Sequence, residues 1–257
     1  SMEVGTRIYE RAAKVNPGQI WLKRVVAEMG GKDAMLIDSE VDVDYAAGEV
    51  VKAAFGFQGQ KCSACSRAIV DEKIYDEFIE KLEAIAKAIT VGDPRENAPA
   101  GPVINEGAYN SIKNYIEIGK SEGRLIVGGT TPNAENGYFI SPTVIVDVPD
   151  TARIAKEEIF GPVLAVIKSK NFDDGVRIFN DTIYGLTGGL ITNNPEKLAR
   201  GKKELHCGNL YLNRKCTGAL VDVHPFGGFN MSGTDSKAGS RDYLQLFMQG
   251  KSVATKK

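Results

Sequence analysis

FGFQGQKCSACSR, residues 55–67, decides how this chain is read. Upstream, Tyr45, Val50, Ala54 and Phe57 recur at a helix-compatible spacing and run into Gly59, a residue type that ends helices. Downstream, Arg67–Val70 (RAIV) reads as a strand. Cys62 therefore falls in a short polar turn between helix and strand, beside Lys61 and followed by Ser63. Such a turn delivers a side chain to a fixed place. A thiol there, near a cation and backbone N–H groups, is expected to have its pKa lowered toward neutrality, which makes the attacking thiolate available. Taken alone, Cys62 reads more readily as a packed thiol, since free cysteine is among the most buried residue types.

The 257 residues suffice for one large α/β domain or two smaller ones. With 32 basic and 33 acidic residues the net charge is −1, so there is no electrostatic footprint for nucleic acid or an anionic membrane, and small-molecule partners are expected. No apolar run approaches a membrane span, and SMEVGTRIYERAAK lacks a signal-peptide layout, which points to a cytoplasmic or organelle-matrix protein. Four cysteines make no disulfide framework. Cys62 and Cys65 form a CxxC pair, open to two other readings. Zinc would need Cys207 and Cys216, whose spacing is too wide for a standard ligand pair, and a thioredoxin-like pair would follow a strand instead of a helix. No metal site is assigned.

Around this centre, Val4, Ile8, Ala12 and Val15 predict a helix stopped at Pro17 and Gly18. QIWLKRVVAEMGGK (19–32) predicts a strand covered on both faces that ends at Glu28, ahead of Gly30 and Gly31. Glu28 would then project from a strand end, the usual address of active-site groups in open α/β sheets, although an acid before a glycine pair also suits a solvated loop. Strands are expected at 34–37, 124–127, 138–148, 164–167, 189–192 and 209–212, and helices from the Asp42/Asp44 cap, over Tyr75–Ile89, around Tyr109–Ile118, at 172–179 and at 196–204. The glycine-rich tract 216–240 reads as a long packed loop anchored by Phe226 and Phe229. Alternating elements without repeats predict an α/β fold, an open twisted sheet with helices on both faces. Neither GxGxxG after a strand nor GxxxxGK[ST] occurs.

AEMGGK (27–32), GQKCSACSR (59–67), GDP (92–94), GYFISPTV (137–144), EEIFGPV (157–163), NDTIYGLTGGL (180–190) and PFGGFNMSG (225–233) are each weak alone. In this order, with Glu28 and Cys62 34 positions apart, they resemble the second half of the aldehyde dehydrogenase superfamily across essentially the whole chain. GNLYLNRKCTGALV (208–221) and PFGGFNMSGTDSKAG (225–239), with Ser63 after Cys62, resemble more closely its glutamate-semialdehyde (1-pyrroline-5-carboxylate) dehydrogenase family. That resemblance implies Cys62 as nucleophile, Glu28 as the base for thioester hydrolysis, and NAD as cofactor, with Glu158 on the nicotinamide ribose and Phe160 against the nicotinamide. It also implies Ser63, Gly218, Ala219 and Phe226 around the substrate. Hydroxyl and backbone N–H donors at a glycine turn make an anion-binding concavity, which suits a carboxylate.

Members of the superfamily are about twice this long, with the dinucleotide-binding half preceding the acid. The resemblance therefore implies three parts: residues 1–30, a remnant of that half; 31–240, the catalytic domain; and 241–257, a C-terminal segment whose partial alternation suggests an oligomerisation strand in a homo-oligomeric parent. An oxyanion-hole donor is typically worth about 2.7–4 kcal/mol. With that donor and the cofactor platform expected elsewhere, this chain alone is expected to turn over little aldehyde. The competing classes are a CxxC zinc or redox module and a non-catalytic assembly domain. His206 and His224 receive no role.

Overall fold

In the computed structural model, whose described residues are 1–133 and 135–257, the chain begins with helix α1 (Met2–Ala13) and reaches strand β1 (Ala34–Ile37) without intervening helix or strand. Helix α2 (Val43–Phe55), strand β2 (Arg67–Asp71) and helices α3 (Tyr75–Lys87) and α4 (Glu106–Glu122) follow, then strands β3 (Arg124–Val127) and β4 (Thr143–Val146). The rest comprises α5 (Arg153–Lys156), β5 (Val163–Ser169), α6 (Phe172–Asn180), β6 (Tyr184–Gly185), β7 (Thr187–Ile191), α7 (Pro195–Glu204), β8 (Asn209–Leu212) and β9 (Phe229–Asn230).

Seven strands form one sheet in the order β3-β4-β5-β2-β1-β7-β8, parallel except where the edge strand β3 meets β4. Alternation of side chains divides the core in two. Met35 and Ile37 of β1, with Ala68 and Val70 of β2, pack against α2 and α3 residues such as Val50, Phe78 and Leu82. Ala34, Leu36 and Ile69 face Ile112, Ile154, Phe172 and Ile178 of α4, α5 and α6. Strands buried on both faces need continuous apolar runs, which AMLI and RAIV supply. Four helices, α2, α4, α6 and α7, start where Asx side chains satisfy free N–H groups: Asp42 accepts from Tyr45, Asn105 from Ala108, Asn171 from Asp174 and Asn194 from Glu196.

Two expected strands do not form. Residues 19–26 lie in extended or irregular backbone, with Ile20 84% and Leu22 72% exposed, and the stretch touches sheet structure only through a single bridge from Glu28 to Gly233. A strand exists by pairing, and among the described residues no neighbour lies alongside these. The C-terminal segment forms a short 3-10 turn at Tyr243–Phe247 and no strand, for the same reason. Among the described residues no helix is long and apolar enough to cross a membrane.

Candidate active site

Helix α2 stops at Phe55 because the next turn leaves right-handed space: Phe57, Gln58 and Gly59 have φ of 58°, 55° and 63°. A Cβ on Gly59 would stand 2.3 Å from the Gly161 carbonyl oxygen, so only glycine lets the two segments pass. The chain then enters the turn Lys61–Ala64, closed by an N–H···O=C bond of 3.1 Å from Ala64 to Lys61, and proceeds into β2. Cys62 occupies this turn, half-buried, and lines a narrow cavity of about 20 Å³ with Gly31, Cys65, Glu158 and Phe160.

Glu158 belongs to the strap between α5 and β5. Its Oε1 accepts from the Gly31 N–H at 2.9 Å, while Oε2 accepts no hydrogen bond from the described residues and stands 2.3 Å from where a Gly30 Cβ would be. Gly30 thus leaves room for the carboxylate. Gly31 is equally constrained, since a Cβ there would meet the Cys62 carbonyl oxygen at 2.3 Å. Phe160 takes a left-handed backbone (φ 57°) and is 46% exposed, an aromatic face held open at the mouth of the cavity.

Glu28 approaches from the extended segment before β1. Met29 N–H donates to Ser232 O at 2.8 Å and Thr234 N–H to Ala27 O at 3.1 Å, so residues 232–234 hold Glu28 in place. Burial raises the Glu28 pKa, and the Lys237 ammonium opposes the rise. The Cys62 thiol is pushed up to about 11, by burial first and then by the carboxylates of Asp33, Glu28 and Glu158. This corrects the expectation of a lowered thiol pKa: burial and then three acids raise it, although the exposed Lys61 lines the same cavity.

Ser63 is held through its backbone carbonyl, which accepts from Thr187 Oγ1 at 3.4 Å and from Cys216 Sγ at 3.6 Å, Cys216 being the residue that precedes Thr217-Gly218-Ala219. Gly218 has φ +88° and is exposed. Phe226 is half-buried and exchanges backbone hydrogen bonds with Ala238, so it lies on the tract that holds Glu28.

Two residues that the sequence reading passed over are Lys32 and Asp33. Both are fully buried beside the cavity; desolvation lowers the Lys32 pKa and raises that of Asp33. Asp33 Oδ1 accepts from the Thr187 N–H at 2.7 Å, tying β7 to the turn before β1. Charged residues beside glycines ordinarily read as solvated, and only the place of Lys32 at the end of AEMGGK, with Asp33 directly after it, hinted otherwise. All four cysteines are unbridged. Among the described residues no group of three or more His, Cys, Asp or Glu side chains is arranged to hold a metal ion.

The groups converge at one edge of the sheet. Lys32 and Asp33 precede β1, Cys62 precedes β2, Gly161 precedes β5 and Gly208 precedes β8, all at the amino ends of parallel strands. This is opposite to the carboxyl-end crevice usual for open α/β sheets. Glu28 correspondingly stands in an isolated bridge and not at the end of a strand of the main sheet.

Residues 1–253 match the aldehyde dehydrogenase family. The chain is 59% identical over 255 residues to the 1-pyrroline-5-carboxylate dehydrogenase of Geobacillus thermodenitrificans, covering 99% of this chain and 49% of that protein. It is 56% identical to the Bacillus subtilis protein of the same name, with the same coverage. It also superposes on a crystal structure of 1-pyrroline-5-carboxylate dehydrogenase from Thermus with bound NAD, at a TM-score of 0.95 and 51% identity, covering 97% of this chain and 48% of that one. The chain thus spans about half the length of the curated relatives it matches. On its fold, on the order of its motifs and on a match that runs almost end to end, this chain belongs to the aldehyde dehydrogenase family.

Proposed function

We propose that this chain is the catalytic part of an NAD-dependent dehydrogenase that oxidises L-glutamate γ-semialdehyde, the open form of 1-pyrroline-5-carboxylate, to L-glutamate. The observation that carries the reading is the convergence of Cys62, Glu158 and Phe160 on one cavity, with the Glu28 carboxylate acting on the same sulfur. In this reading Cys62 sulfur bonds to the aldehyde carbon to give a thiohemiacetal. Departure of hydride from that carbon and of the hydroxyl proton to solvent leaves a thioester; water, giving its proton to Glu28, then adds to the acyl carbon and the C–S bond breaks, releasing the carboxylate and Cys62 sulfur. Covalent capture comes first because an aldehyde releases hydride readily only after a heteroatom has added to it. Ser63, Gly218 and Ala219 would receive the substrate carboxylate through a hydroxyl and backbone N–H donors, and Phe226 would bound the same pocket.

The residues present fit a nicotinamide nucleotide. Glu158 keeps Oε2 for a ribose hydroxyl, and Phe160 offers an exposed ring beside the thiol. When bound, NAD supplies the hydride acceptor. Burial first and then the acidic groups Asp33, Glu28 and Glu158 raise the Cys62 pKa, an acidic setting that suits a cationic ring nearby.

Residues 31–240 would form the catalytic unit and residues 1–30 would complete a dinucleotide-binding unit carried by the half of the relatives' length not matched here. The exposed Ile20, Trp21 and Leu22 suit a strand whose neighbours belong to that unit. A cytoplasmic homo-oligomer is the setting proposed for the whole protein.

The test is turnover of glutamate semialdehyde with NAD by the full-length protein carrying this chain, beside Cys62→Ala and Ser63→Ala. Loss of all turnover in Cys62→Ala, with KM in Ser63→Ala raised for the carboxylate substrate more than for a neutral aldehyde, supports the reading. A neutral aldehyde preferred by the unaltered protein would shift the assignment to another aldehyde substrate. Normal turnover by the 257-residue chain alone would overturn the proposed dependence on a second unit.

A further inference from the structure

Lys237 has no part in the chemistry above, yet it is held as few surface lysines are. Phe226 and Ala238 exchange backbone hydrogen bonds of 2.9 and 2.7 Å, which fixes the Lys237 backbone beside Gly227. Its ammonium donates to the Gly208 carbonyl at 3.1 Å and to the Gly227 carbonyl. It also stands 3.5 Å from Asp235 Oδ1 and 5.0 Å from the centre of the Phe229 ring. An ammonium has three donors and no acceptor. With two of them engaged by glycine carbonyls, the charge is confined to one place.

Gly227 connects that charge to Glu28. On one side its carbonyl takes the ammonium; on another, Glu28 Oε1 lies 3.4 Å from where a Cβ on Gly227 would be. Position 227 cannot carry a side chain, since that Cβ would also stand 2.2 Å from the Ser236 carbonyl oxygen. Carboxylate and ammonium therefore flank a single glycine. Among the described residues, Lys237, paired with Asp235, is the charge that acts on Glu28, while Lys61, Cys62 and Glu158 line the neighbouring cavity. Of the two cations, Lys237 is the one whose charge is felt at Glu28. Burial raises the Glu28 pKa and the Lys237 charge works against it.

We propose that Lys237 is a positioning residue for Glu28, its fixed ammonium serving as counter-charge to the Glu28 carboxylate in thioester hydrolysis. The inference rests on the reading of Glu28 as the hydrolytic base. Lys237→Met removes both the charge and the hydrogen bonds. Lys237→Gln removes the charge but keeps an N–H donor for the carbonyls, and Lys237→Arg keeps the charge.

The Glu28 titration is followed in the full-length protein by infrared difference spectroscopy, with Glu28→Gln identifying the carboxyl band. Hydrolysis of acylated Cys62 is followed across pH alongside it. The expected result is a Glu28 midpoint raised by about half a pH unit or more in Lys237→Met and Lys237→Gln, the effect of one solvent-screened charge. Lys237→Arg should restore it, and the hydrolysis profile should move alkaline by the same amount. If the neutral variants do not fold, unaltered protein taken from low to high salt should show the same upward drift. A Glu28 midpoint indifferent to both the charge at 237 and salt overturns the inference. A midpoint that moves while the hydrolysis profile stays still supports the counter-charge and overturns the base role of Glu28 instead.

Discussion

Glu158 and Gly31 are joined by a 2.9 Å hydrogen bond from the Gly31 N–H to Oε1, which ties the strap before β5 to the turn before β1. The adjacent Gly30 is what allows it, because a Cβ there would collide with Glu158 Oε2 at 2.3 Å. Gly30→Ala should therefore swing Glu158 out of the cavity without unfolding the sheet. In the full-length protein we expect NADH affinity to fall by about tenfold, the equivalent of one lost charge-assisted hydrogen bond. Fluorescence titration with NADH checks this. Unchanged affinity would remove Glu158 from the cofactor site.

Cys62 has its pKa pushed up to about 11 and is the one cysteine of the four that is not buried. Only the thiolate reacts, so alkylation by iodoacetamide should rise about tenfold per pH unit from pH 7 to 10 without a plateau. Mass spectrometry of timed samples measures the rate and locates the label. A plateau near pH 8 would mean that the neighbouring acids do not act on the sulfur as the geometry implies.

Glu28→Gln should separate the two halves of the proposed reaction. Thioester formation should survive while hydrolysis falls by about 10²–10⁴, the usual contribution of a general base. Rapid-quench measurement should then show a burst of NADH followed by near arrest. In the unaltered protein the base works only when ionised, so hydrolysis should climb as pH rises through the Glu28 midpoint, which burial sets above the ordinary value of 4.5. The sign for stability is the reverse. The folded state holds this proton more tightly than the unfolded state, so the Glu28 contribution to stability declines as pH rises from 4.5 through that midpoint. Glu28→Gln should flatten that part of the stability profile.

Arg67 is fully buried and donates to the carbonyls of Lys32, Ile178 and Phe179 at 3.0, 3.0 and 3.1 Å. It thereby links the start of β2, the turn before β1 and the last turn of α6. Arg67→Met leaves the buried Lys32 and Phe179 carbonyls without donors, at about 1–3 kcal/mol each before relaxation, and leaves the Ile178 carbonyl only the Asp181 N–H at 3.3 Å. We expect a loss of about 3–5 kcal/mol in denaturant unfolding, enough to make the variant poorly soluble. A loss below about 1 kcal/mol would show that water replaces the guanidinium.

Much of the fold was legible because its signals are local. AMLI and RAIV announce strands buried on both faces, Asp42 announces a cap, and the stripe from Tyr75 to Ala86 announces a helix face. The exceptions, residues 19–26 and 243–254, carry strand-like alternation but no neighbour to pair with among the described residues, and pairing is not a local property. Lys237 and Asp33 escaped for a similar reason. A charge within a glycine-rich stretch reads as solvated until distant segments are seen to close over it.

Cys62 in a turn between a helix and a strand, the acid 34 positions before it and the order of the surrounding motifs were determined by the sequence itself. They depend on residue type and spacing along one chain, which folding does not alter. The electrostatics were decided by the tertiary structure alone. The cation adjacent in sequence, Lys61, is exposed at the rim of the cavity, whereas burial of the sulfur and then Asp33, Glu28 and Glu158, remote in sequence, raise its pKa instead of lowering it. Coulomb energy follows distance and burial in space, and neither can be counted along a chain.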